Sequence, residues 1–208
     1  MCKHKLPSPL RASLTNSYTW LKVTSLSPAL LLAWDLAAHE AGQDGRSLIA
    51  PQHVFLGVCR LADYDTLEPL VELGYQRTEA QQILPELAHL MDVFRGLGVD
   101  PVRLRRDLRE RPTGKINWWS GWASSAPKTE NLAERPRVIH RSGESRLLFT
   151  QADQLAGATN PKATTTVLHL LLAMLEGEGS SIPALLRPQS IPMDDLARAA
   201  RERLARLP

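Results

Sequence analysis

The residues that come closest to a metal-binding motif are His39-Glu40, which open like the H-E-x-x-H motif of zinc proteases. That motif needs a second histidine one helical turn later, so that two ring nitrogens on one helix face bind the metal. The sequence has Gln43 at that position. We therefore interpret His39-Glu40 as a polar helix end.

Nucleotide and hydrolase motifs are also incomplete. A phosphate loop needs G-x-x-x-x-G-K-[ST], so that backbone N–H groups surround the phosphates. Around Gly114-Lys115, position 109 is an arginine and Ile116 follows the lysine. The sequence contains no G-x-S-x-G nucleophile elbow. We expect no enzymatic activity, no ATP binding, no cofactor and no metal.

Two further histidines, His53 and His169, stand near the start of apolar runs that extend over 51–59 and 167–175. Each run is apolar almost all round, which is typical of a helix surrounded by other elements. We interpret both histidines as core residues that bond nearby loop backbone; a catalytic or metal-binding role is the alternative.

The two runs belong to an internal repeat. His169 follows His53 by 116 positions, whereas Ala41 and Ala156, like Leu70 and Leu185, are 115 apart. Before the first buried run, Ser27-Pro28 is a typical helix start, followed by an apolar stripe from Leu30 to Ala41. Every periodic segment is helical, so we predict an all-α protein without a β-sheet. It would consist of two tandem pseudo-symmetric repeats of about four to five helices each.

The breaks in periodicity divide the chain into four parts: an irregular N-terminal arm over 1–26, a first repeat over 27–110, a linker over 111–142 and a second repeat over 143–208. The linker contains prolines, glycines and three of the five tryptophans, Trp118, Trp119 and Trp122.

The double repeat resembles the N-terminal domain of the Clp protein-remodelling ATPases, also called the Clp repeat domain. The residues that carry the resemblance are Ala37 to Ala41, Pro51 to Leu56, Gly98 to Pro101 with Leu104, Ala152 to Ala156, and His169 to Leu175. Gln52 and Leu168 stand where the family usually has an acidic residue. The resemblance covers 27–110 and 143–207 and implies a non-catalytic module that binds a protein substrate, an adaptor or a Clp-type ATPase. We expect no ATPase module in these 208 residues.

The tryptophans of the linker are the candidate partner-binding residues. Trp118, Trp119 and Trp122 either anchor the linker on its own domain or contact a partner, because tryptophan is enriched at binding hot spots. Arginines also cluster between 103 and 146, so a nucleic-acid-binding regulator is an alternative function, although Asp107, Glu110, Glu134 and Glu144 offset part of the charge. An accessory or truncated regulatory subunit of a Clp ATPase or protease system is the other alternative.

Composition agrees with a globular protein in a reducing compartment. Hydrophobic residues make up 43% and charged residues 23%, and the net charge is +3. The two cysteines have no metal spacing, and the N-terminus does not read as a signal peptide. The longest apolar run is too short to span a bilayer. We expect a cytoplasmic protein that binds neither membranes nor, on the leading interpretation, nucleic acid.

Overall fold

The computed structural model describes residues 25–110, 140–160 and 163–206, and regular structure in these ranges is almost entirely helical. The prediction of an all-α fold with two tandem repeats is therefore confirmed. Short 3-10 turns follow α2 and α8. The first repeat contains α1 (Pro28–Gln43), α2 (Pro51–Arg60), α3 (Leu67–Glu72), α4 (Arg77–Gly96) and α5 (Pro101–Glu110). The second contains α6 (Gly143–Thr159), α7 (Val167–Glu176), α8 (Ile182–Leu186) and α9 (Met193–Leu204).

The first helix of each repeat begins in the same way. The Ser27 hydroxyl accepts a hydrogen bond from the N–H of Leu30, as Ser27-Pro28 predicted. In the second repeat the Ser142 hydroxyl accepts one from the N–H of Ser145. Each serine satisfies a backbone donor that the first helical turn would leave unpaired. The two serines are 115 positions apart, which is the spacing of the repeat.

The core is built around α2 and α7, which contact each other between the repeats. All residues from Pro51 to Cys59 and from Val167 to Leu175 are buried. Helix α1 lies very close to α2 at Gly57. A Cβ added to this glycine would stand 2.6 Å from the carbonyl oxygen of Ala33 and 2.7 Å from the amide nitrogen of Ala37. Only a glycine permits this approach between two helix backbones.

Both buried histidines bond the backbone at the start of their own helix, as we expected. Nδ1 of His53 accepts the N–H of Ala50 at 3.0 Å, and Nδ1 of His169 accepts the N–H of Thr166 at 3.2 Å. Since Nδ1 of His53 is an acceptor, its Nε2–H donates to the Asp44 carboxylate at 3.1 Å. Burial lowers the pKa of His169. These side chains act as helix caps.

The prediction that the fold has no β-sheet is wrong in one respect. Strand β1 (Leu48–Ile49) pairs in parallel with β2 (His140–Arg141), and Leu26 forms an isolated parallel bridge with Thr165. The segment before the first helix of each repeat therefore pairs with the segment before the buried helix of the other repeat. The pairings satisfy backbone groups of these four loop segments, in which Ile49 and Thr165 are buried. They are too short to produce a periodic signal in the sequence.

Helix α4 is the main difference between the repeats. The second repeat, described from 163 to 206, has only the 3-10 turn Arg187–Gln189 between α8 and α9. The apolar stripe of α4, formed by Ile83, Leu87, Leu90 and Phe94, is fully buried. The Glu86 carboxylate on the same helix accepts the N–H of Val167 at 2.5 Å and the hydroxyl of Ser27 at 3.0 Å. It therefore links the starts of α1 and α7, and burial raises its pKa.

One sequence pattern typical of a helix cap does not form a cap. Asp65 and Glu68 have the spacing of a capping box, but the N-cap of α3 is Thr66, which makes no side-chain bond. The Asp65 carboxylate lies 3.4 Å from the Arg95 guanidinium instead. None of the helices in the described ranges combines the length and hydrophobicity needed to cross a bilayer.

Candidate partner-binding surface

The predicted partner-binding residues Trp118, Trp119 and Trp122 lie outside the described residues. The structure does place the two ends of their segment. At one end, Arg109 contacts Glu40 and Gln43 at the C-terminal end of α1. At the other end, His140 pairs with Leu48 in β1. Both ends therefore lie beside the loop that follows α1.

The two repeats meet through a pair of aromatic rings. Trp34 of α1 and Phe149 of α6 stack edge to face, with ring centroids 5.3 Å apart and an interplanar angle of 80°. Their positions are 115 apart, so they are equivalent residues of the two repeats. An edge-to-face pair places the positive edge of one ring against the negative face of the other. The pair joins α1 to α6 at the junction of the repeats.

A cation completes this contact. The Arg141 guanidinium lies 4.9 Å from the Trp34 ring centroid and 5.8 Å from that of Phe149. Both distances allow cation–π attraction. Strand β2 positions Arg141, because its backbone pairs with Ile49 in β1. We call Trp34, Arg141 and Phe149 the aromatic–arginine cluster.

The cluster continues onto one face of α1. Leu31, Trp34, Asp35 and Ala38 follow the helical spacing i, i+3, i+4 and i+7, and all four are half-buried. We call these four residues the α1 face. Burial raises the pKa of Asp35 from 3.8 to about 6. Within the described residues, Asp35 has no hydrogen-bond or ion-pair partner.

The arginines near α5 are mostly paired with acids. Arg105 lies 2.6 Å from the Asp63 carboxylate, and the buried Glu40 carboxylate binds both Arg60 and Arg109. Arg103 and Arg106 both lie within 4 Å of the Asp107 carboxylate. Arg111, Arg135 and Arg137 lie outside the described residues. The described arginines of α5 thus neutralise neighbouring carboxylates and do not form a surface of one charge.

His39, Glu40 and Cys59, the side chains with potential for catalysis, are bonded to or buried among other residues of the fold. His39 bonds the side chain of Gln43 at 2.7 Å, and Glu40 forms the ion pairs described above. Cys59 is buried and free, and burial raises the pKa of its thiol, which makes it a poor nucleophile. Within the described ranges, no group of three histidine, cysteine or acidic side chains is placed to hold a metal ion.

A solved protein has the same architecture. The chain is similar to the crystal structure of the N-terminal domain of the caseinolytic protease associated chaperone ClpD from Arabidopsis thaliana, with a TM-score of 0.54 and 16% sequence identity. The match covers 90% of this chain and 99% of that chain. No protein-family model and no curated protein matches the sequence. The chain therefore has a Clp-N-like fold.

Sequence reasoning missed the aromatic–arginine cluster and Asp35. It assigned Trp34 to the apolar stripe of α1 and gave Phe149 and Arg141 no role at the junction. The signal was nevertheless present, because Trp34 and Phe149 are separated by the spacing of the repeat. Two large aromatic residues at equivalent positions are candidates for a contact across the pseudo-symmetry axis.

Proposed function

We propose that this chain is a non-catalytic protein-binding module whose partner is a protein substrate, an adaptor or a Clp-type ATPase. The observation that carries the proposal is the aromatic–arginine cluster at the junction of two repeats in a Clp-N-like fold. The structural neighbour is the N-terminal domain of a caseinolytic protease associated chaperone. By analogy, the chain acts as a chaperone or protease adaptor in the cytoplasm.

The chemistry of the cluster supports protein binding. Tryptophan and arginine dominate the binding energy of many protein interfaces, because both combine large apolar surfaces with polar groups. Trp34 is half-buried, so part of its indole is open to a partner. The contact with Phe149 already holds the Trp34 ring in place, so the side chain would lose little further conformational entropy when a partner binds.

Trp118, Trp119 and Trp122 are proposed to contribute to the same surface. The supporting observation is that both ends of their segment lie beside the loop after α1, the helix that carries Trp34. Each indole could bury a large apolar area while losing few rotamers.

The test is quantitative affinity capture from the native cells, with mass spectrometry of the bound proteins. The bait variants are Trp34→Ala, the triple alanine variant of Trp118, Trp119 and Trp122, and a control, Val71→Ala, which removes an exposed apolar side chain on α3. A partner of this surface should be captured at least ten times less by the first two variants, about 1.4 kcal/mol, and equally by the control.

Thermal melting of the same variants separates binding from folding. Partner capture that is equal for all baits would contradict the proposal. A large fall in melting temperature of the triple variant, with partner capture kept, would show that the three tryptophans anchor the linker on its own domain.

A further inference from the structure

Asp35 is the charged residue of an otherwise apolar surface. Leu31, Trp34 and Ala38 form the rest of the α1 face, and all are half-buried. A carboxylate in such surroundings loses hydration, and without a partner nothing replaces the lost free energy. This loss is reflected in the pKa of Asp35, which burial raises to about 6.

Comparable carboxylates in the described part of the chain have partners. Glu40 binds two arginines, and Glu86 accepts a backbone N–H and a hydroxyl. The fold therefore supplies donors to the acids that it buries, and Asp35 is an exception among the described residues.

The fold itself does not require an acid at this place. The equivalent position of the second repeat, 115 residues later, is Thr150, a neutral residue. Its hydroxyl donates to the carbonyl oxygen of Arg146 in its own helix at 3.1 Å. Thr150 thus satisfies its own hydroxyl within its helix, and the packing of the repeat does not require a carboxylate at position 35.

A donor from outside would supply what Asp35 lacks. We propose that Asp35 pairs with an arginine or lysine of the protein partner, whose docking segment carries this one cation between apolar residues that contact Leu31, Trp34 and Ala38. This inference rests on the proposed function and specifies the chemistry of the partner. A cation is favoured because its charge-assisted hydrogen bond to a carboxylate is stronger than a hydrogen bond from a neutral donor.

The test measures fluorescence anisotropy of synthetic peptides with a neutral dye. The peptides alternate leucine and serine and differ only in a central arginine, glutamine or glutamate. The proteins are the whole chain as wild type, Asp35→Asn, Asp35→Lys and Trp34→Ala, with Asp194→Asn as the matched control. Asp194 is exposed on α9.

Wild type and the Asp194→Asn control should bind the arginine peptide at least ten times more tightly than the glutamine peptide, and the glutamate peptide most weakly. Asp35→Asn should bind the arginine and glutamine peptides equally, and Asp35→Lys should prefer the glutamate peptide. Circular dichroism checks that each variant is folded, and the isosteric Asp35→Asn decides if Asp35→Lys does not fold.

Two failures are distinguishable. If wild type binds all three peptides equally and Trp34→Ala weakens all three, the inference about Asp35 is wrong and the proposed function stands. The same conclusion follows if Asp35→Asn keeps the preference for arginine. If wild type shows no saturable binding of any peptide, both the inference and the proposed binding surface are contradicted.

Discussion

Asp35 should make the protein less stable as the pH rises, and Asp35→Asn should remove this loss. The carboxyl has an ordinary pKa of 3.8, and burial raises its pKa to about 6 in the folded protein. The folded state therefore binds the proton more tightly than the unfolded chain does. A difference of about two pKa units corresponds to about 3 kcal/mol, an upper bound because Asp35 is not fully buried.

The direction follows from the order of ionisation. Below its ordinary pKa, Asp35 is protonated in both states and has no effect on the pH dependence of folding. As the pH rises, the unfolded chain loses the proton first, so the free energy of unfolding falls. The fall is complete once the pH exceeds the folded pKa of about 6. Asparagine has nearly the same shape and stays neutral throughout.

The assay is urea unfolding of wild type and Asp35→Asn at about pH 4 and about pH 8. The two proteins should have similar stability at the lower pH, and the variant should be more stable by up to about 3 kcal/mol at the higher pH. The buried Glu86 and His169 titrate equally in both proteins, so the difference isolates Asp35. A difference that does not grow with pH, or a variant less stable at about pH 8, would refute the reasoning.

Two further substitutions test the packing, each by urea unfolding with a matched control. Gly57→Ala should destabilise by about 3 kcal/mol or more, because its Cβ would overlap backbone atoms of α1, whereas Gly157→Ala, with open space around it in α6, should stabilise by about 0.5–1 kcal/mol. Equal effects of the two would contradict the close approach of α1 and α2. Glu86→Ala should destabilise by about 1–3 kcal/mol because it leaves the buried N–H of Val167 unpaired, and Glu86→Gln, which keeps an acceptor oxygen, should cost less. A smaller effect of the alanine variant would rule out Glu86 as the partner of that N–H.

The helical architecture was predictable because its signals are local. Ser27-Pro28 marks a helix start by side-chain chemistry that acts within one turn, and the structure confirms it. The runs around His53 and His169 are apolar on all sides, and burial of both helices follows from that alone. The spacing of 115 or 116 positions, shared by three pairs of equivalent residues, then predicts the repeat.

Contacts between distant segments were not predictable in the same way. The pairing of Leu48–Ile49 with His140–Arg141 depends on how the two repeats pack, and two residues are too few to show alternation. Asp65 resembles a helix cap, but Arg95, thirty positions later, competes for its carboxylate. The lack of a partner at Asp35 likewise depends on its neighbours in space, which the sequence does not give.

The differences between the two repeats favour one orientation of a bound partner over the other. Two identical repeats would present the same surface twice, and a partner could dock in two orientations related by the pseudo-symmetry axis. Helix α4 removes this equivalence, because Glu86 joins α1 to α7 and Arg203 of α9 bonds His89 and Asp92 at 2.9 and 2.5 Å. No such helix bridges the equivalent side of the second repeat within 163–206. At the junction of the repeats, Trp34 and Phe149 are both aromatic, but their neighbours Asp35 and Thr150 differ in charge. A cationic partner segment would therefore find its counter-charge on α1 and not on α6, and only one of the two orientations would satisfy it.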